Sequence, residues 1–135
     1  MYAKLLFEAQ LLREAPPTDA ARRAYITLGG AMTASHMAEW LFPALDAGER
    51  RQLGKLAGRP LRSKKELRRY AANEPAIRVC QLIASGVLPL QAAKYADMVR
   101  LWVGDRVREW SPEDLLGDAV SFWRGVLIAT GRDSG

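Results

Sequence analysis

Seven prolines, with capping residues beside several of them, cut this chain into segments whose apolar residues recur at helical spacing. Proline fits the first turn of a helix and breaks its interior, so each one marks a boundary. A first helix is predicted from about Tyr2 to Glu14, with Leu5, Ala9 and Leu12 on one stripe, stopped by Pro16-Pro17. Thr18 or Asp19 then caps a long second helix that reaches about Leu41, ahead of Pro43. Asp46 with Glu49 three residues on reads as a capping box for a short third helix, closed near Gly58. Ser63 with Glu66 repeats that signature and opens a fourth helix. Pro75 begins a fifth, which runs to Ser85 and is capped by Gly86. A sixth is expected from Pro89 or Leu90 to about Trp110. Ser111-Pro112-Glu113-Asp114 joins a capping serine, a first-position proline and first-turn acids, and the helix it starts runs to about Thr130 before Gly131.

The resulting expectation is an all-α fold, a single-domain bundle of six or seven helices over residues 1–131, followed by a flexible tail at 132–135. A chain of 135 residues is long enough to bury a core. Its 49% apolar content, with four Trp and four Tyr, excludes a disordered chain. Two stretches invite a membrane reading and fail it. Ala24–Leu45 carries His36 and Glu39, while Leu115–Ala129 has only fifteen residues and contains Asp118 and Arg124. A spanning helix needs roughly twenty apolar residues, and one central charge costs about 3 kcal/mol. The lone cysteine, Cys80, and the absence of a long apolar run at the start point to a reducing cytoplasm.

Charge is the one uneven property. Arg50, Arg51, Lys55, Arg59, Arg62, Lys64, Lys65, Arg68 and Arg69 supply nine of the twenty basic residues, and Glu66 is the only acid among them. The segment 50–69 is therefore +8 while the remainder of the chain is −3. Such a cluster creates a field suited to phosphates, so RNA or DNA is the favoured ligand, contacted through its backbone. Tyr70 is the only aromatic adjoining the cluster in sequence, which gives little ground for base stacking.

Two rows of small residues stand out. Gly30, Ala34 and Ala38 recur at four-residue spacing in the second helix, as do Gly117, Ser121, Gly125 and Ala129 in the last. Such rows let helix axes approach closely, so the two helices are expected to pack on each other. The alternative is a protein–protein contact, a homodimer or an antitoxin-like partner. It would use Gly117, Ser121, Gly125, Phe122 and Trp123, because the last helix is apolar nearly all round.

Catalytic signatures are absent. His36 is the only histidine, which excludes a Ser-His-Asp triad and multi-histidine metal sites. Glu39 lies one turn away and could orient His36 as a general base, the basis of a ribonuclease-like reading that ranks below binding. His36 shares a stripe with Tyr25, Leu28, Met32 and Trp40, so a core or boundary role is expected of it. Cys80, among Ile77, Val79, Leu82 and Ile83, reads as an inert buried thiol. Gly29-Gly30 lacks the preceding strand and following Lys-Ser or Lys-Thr of a phosphate loop. No cofactor or metal is expected, and the protein is read as non-catalytic.

The run from Ala24-Tyr25 through Thr33-Ala34-Ser35-His36-Met37-Ala38-Glu39-Trp40-Leu41, with its His-x-x-acid-Trp ending, resembles a segment of uncharacterised bacterial helical proteins similar to the HEPN superfamily. Glu74-Pro75-Ala76-Ile77-Arg78 through Ile83-Ala84-Ser85 is similar to a second helix of that pattern. The resemblance covers about a third of the chain. It implies a bacterial protein of defence or toxin–antitoxin systems, where many relatives cut or bind RNA. HEPN nucleases carry an arginine four to six residues before the histidine. Here the nearest upstream arginine is Arg23, and Lys94-Tyr95 stands where Lys-His is common. What the resemblance implies is an inactive or binding-only relative.

Overall fold

The computed structural model describes residues 1–86, 99–103 and 105–132. Among them the chain forms six α-helices: α1 (Tyr2–Glu14), α2 (Ala20–Leu41), α3 (Ala47–Ala57), α4 (Lys64–Ala71), α5 (Pro75–Ala84) and α6 (Pro112–Ala129). A 3-10 turn, Phe42–Ala44, follows α2, and an antiparallel hairpin of β1 (Val99–Val103) and β2 (Arg106–Trp110) precedes α6. The architecture is an all-α bundle with one small hairpin. No helix among the described residues is long and apolar enough to cross a membrane.

The helix starts follow the capping chemistry. Asp19 accepts from the Arg22 N–H at 3.1 Å, and Ser111 from Asp114 at 3.1 Å. Asp46 and Glu49 form a complete capping box, each side chain accepting from the other's backbone N–H. The stops at Gly58, Gly86 and Gly131 all use positive φ, which glycine adopts without a Cβ clash.

Helix α2 is the central element and packs against α1, α4, α5 and α6. Its small residues set the distances. A Cβ on Gly29 would lie 2.7 Å from Glu8 Oε2 of α1, and one on Gly30 would lie 2.6 Å from a methyl of Leu116 on α6. The glycine pair thus admits a neighbour on each side. Glu8 is buried there and accepts a 2.5 Å hydrogen bond from the Thr33 hydroxyl, so its carboxylate is not left bare in the core. One turn along, the fully buried Trp123 of α6 donates its indole N–H to the Ala34 carbonyl at 3.0 Å.

The sixth helix expected up to Trp110 is replaced, over its described part, by the hairpin. Residues 89–98 of that expectation, Lys94-Tyr95 among them, lie outside the described residues. Val99 pairs with Trp110 and Val103 with Arg106, which leaves a two-residue connection at Gly104-Asp105. Gly-Asp between runs rich in Val and Trp is a hairpin signal, and it overrides the weaker helical spacing. Trp110 anchors β2: its ring is buried and its indole N–H reaches Asp118 of α6 at 3.1 Å.

Of the tail expected at 132–135, only Arg132 lies among the described residues. Its guanidinium donates to Glu49 at 2.7 and 3.0 Å and to the Ala44 carbonyl at 2.5 Å. That contact ties the end of α6 to the start of α3. It also holds the Glu49 carboxyl below its ordinary range, mainly through the Arg132 hydrogen bond and secondarily through the Asp46 N–H. A carboxyl depressed in the folded state adds stability above its ordinary pKa of about 4.3, and loses it as pH falls through the depressed value.

Two outcomes are expected. Trp123→Ala should cost about 3–5 kcal/mol in denaturant unfolding, and Trp123→Phe, which keeps a ring but no N–H, should cost less. In an NMR titration, Arg132→Ala should move the Glu49 midpoint up toward the ordinary carboxylate range.

Candidate nucleic-acid interface

The basic segment runs from Arg50, in the first turn of α3, through the connection after it to Arg69 in α4. Local chemistry makes this a fixed corner. Gly54 lets the connection fold back closely, since a Cβ there would sit 3.2 Å from the Arg59 carbonyl oxygen. That approach allows the Arg59 N–H to donate to Gly54 O at 3.1 Å. Leu61 is buried and pins the connection to the core. Ser63 caps α4 by accepting from Glu66 N at 3.1 Å, and the Glu66 carboxylate accepts from the Arg62 N–H at 2.7 Å. The one acid of the segment is therefore turned onto the loop backbone.

The nine predicted basic residues divide into two groups. Arg51, Lys55, Arg59, Arg62, Lys64, Lys65 and Arg69 are exposed, and none has an ion-pair partner among the described residues. Arg50 and Arg68 are half-buried and partly structural. The Arg50 guanidinium lies 4.3 Å from the centre of the Phe42 ring and donates to the Phe42 carbonyl at 3.3 Å. Arg68 pairs with Glu39 of α2. The Nε atoms of both arginines are buried and have no acceptor among the described residues. A cleft of about 500 Å³ lies at the corner, with Arg50, Arg51, Lys55 and Arg59 around Gly54 and Leu61.

A second, smaller cleft of about 290 Å³ lies where α2, α4 and the end of α5 meet. Ser35, His36 and Glu39 enter it from α2, Arg68 from α4, and Gln81 and Ser85 from α5 and its cap. His36 is exposed here, against the expectation of a core or boundary residue, and neither imidazole nitrogen has a partner among the described residues. Glu39 is engaged with Arg68 and does not orient His36. No group of His, Cys, Asp or Glu among the described residues is placed to hold a metal ion.

The proposed interface on α6 is redistributed. Trp123 is fully buried inside the chain, and Phe122 is half-buried, edge-on to Trp123 at 5.0 Å and tilted against Tyr70 at 6.1 Å. Helices α2 and α6 do pack together, but through Leu116 and Trp123 rather than through the small row of α6. Nothing lies within 4 Å of a Cβ on Gly117 or Gly125, and Ser121 is exposed. The apolar circumference of α6 reflects its central position, with Ile128 the one large apolar side chain left mostly outside.

Cys80 is fully buried on α5, and burial pushes its thiol up to about 12. At pH 8 almost none of it is thiolate, so it should stay unreactive to an aromatic disulfide reagent until the protein unfolds; stoichiometric labelling of the native protein would contradict its placement.

No protein-family model, curated protein or solved structure matches this chain.

Proposed function

We propose that this protein is a non-catalytic helical module that binds nucleic acid through phosphate contacts made by the corner between α3 and α4. The observation that carries this reading is the display of seven exposed cations, without ion-pair partners among the described residues, on a corner whose single acid is engaged by backbone. Surface cations on a folded domain are usually interleaved with carboxylates; here they are not, and the rest of the chain is mildly acidic. Arg59, Arg62, Lys64 and Lys65 stand on the connection and the first turn of α4, where a phosphate backbone can reach several of them at once.

Two other readings have less support. A ribonuclease centred on His36 would need a group to orient or assist the imidazole, and Glu39 is engaged elsewhere. An assembly role through α6 loses Trp123, which is in the core, and rests on the small row Gly117, Ser121 and Gly125 with half-buried Phe122. The binding reading agrees with a binding-only relative of HEPN-like proteins.

Anisotropy with labelled RNA and DNA at two salt concentrations tests the reading. Each phosphate neutralised on duplex DNA adds about 0.9 to the logarithmic salt slope, so four contacts predict roughly a hundredfold loss of affinity from 50 to 200 mM salt. The quadruple reversal Arg59→Glu, Arg62→Glu, Lys64→Glu, Lys65→Glu should abolish binding without changing the helical signal. Binding that ignores salt, or that survives the reversal, would sink the proposal.

A further inference from the structure

Sequence order separates the basic segment from every aromatic but Tyr70, and folding removes that separation. The ion pair between Arg68 and Glu39 seats α4 against the end of α2. The residue after Glu39 is Trp40, which is 57% exposed and has no hydrogen bond or ring contact among the described residues. Trp40 lies one turn beyond His36, which lines the same cleft as Arg68, and Lys64, Lys65 and Arg69 belong to the same short helix as Arg68.

Trp40 ends a longer feature. Tyr25, Leu28, Met32, His36 and Trp40 recur at spacings of three and four along α2, and all five are exposed. They form a stripe roughly 22 Å long at 1.5 Å per residue. The cleft that holds His36 opens beside its last turn. His36 and Ser35 bring groups with no partner among the described residues. Gln81 gives its Nε2 to the Arg68 carbonyl at 3.3 Å, which leaves its amide oxygen to accept. The cleft therefore mixes donors and acceptors from Ser35, His36 and Gln81 beside the Arg68–Glu39 pair.

We propose that the nucleic acid is single-stranded where it crosses α2, with one base stacked on Trp40 and an adjacent base edge received in the His36 cleft. This rests on the phosphate-binding reading and specifies the form of its ligand. An aromatic platform beside a cationic track is the arrangement that holds single strands, because every base has a face to stack. A duplex offers neither its base faces nor its pairing edges to such a site. The mixed donors and acceptors of the cleft match the edge of a base, while the cations of α4 follow the backbone. A second copy of this chain is the less favoured occupant, since a cleft of hydrogen-bonding groups beside a cationic helix matches a nucleic acid better than this apolar stripe matches itself.

The test compares a single-stranded oligonucleotide with a duplex of the same length, against the unaltered protein, Trp40→Ala, Trp40→Phe, His36→Ala and the quadruple charge reversal. Stacking contributes about 1–3 kcal/mol per base, so Trp40→Ala should weaken single-strand binding by roughly 5- to 100-fold and leave duplex binding within about twofold. Trp40→Phe should recover most of the loss, and His36→Ala should weaken only the single strand. The charge reversal should remove both. If it does so while Trp40→Ala changes nothing, or weakens both forms equally, the phosphate reading stands and this inference falls. If neither nucleic acid binds the unaltered protein, both fall. Light scattering on the free protein closes the remaining route: a dimer that Trp40→Ala dissociates would assign the stripe to self-association and overturn the inference.

Discussion

The close approach of α6 to α2 is the constraint on which the rest of this fold depends. It requires glycine at position 30, where Leu116 occupies the space of a side chain, and it brings the Trp123 indole within hydrogen-bond reach of Ala34. A buried indole N–H without an acceptor would cost more than the bond contributes, so the tryptophan fixes both depth and register. With α6 held there, the other faces of α2 are left for α1, α4 and α5, and no helix among the described residues covers the outward face. The exposed stripe is thus a consequence of how the interior is filled.

Much of this was legible in the sequence, and the legible parts share a cause. Capping residues, prolines and positive-φ glycines act within one turn of themselves, so the limits of α1 to α5 and of α6 could be read from Asp19, Asp46, Ser63, Pro75 and Ser111. The hairpin escaped because its signal is a short Gly-Asp connection, and apolar residues on both sides also fit a helical count. The fate of the small rows could not be read at all. Gly30 and Gly117 look alike in a sequence; whether a leucine or solvent lies opposite is decided by a helix nearly ninety residues away.

The candidate site shows the same division. Charge is additive along a chain, so the basic segment was visible and its nine members were named. Which of them are available depends on tertiary contacts. Arg50 lies on Phe42 and Arg68 on Glu39, two partners that no local pattern reveals. The apolar stripe around His36 predicts a core or boundary position, a sound inference for a helix with one buried face. Helix α2 is packed on several sides, and its small residues Gly30, Ala31, Ala34 and Ala38 face inward beside Met37 and Leu41. Size, not polarity alone, chose which side of this helix was buried.

Glu66 has a consequence that reaches past capping. Its carboxylate holds the Arg62 N–H, and its own N–H is held by Ser63, so it both subtracts one charge from the corner and secures the backbone on which the cations stand. Removing it raises the local field and loosens the frame that shapes that field. Net charge and rigidity at this corner are therefore coupled at position 66, where one substitution changes both at once.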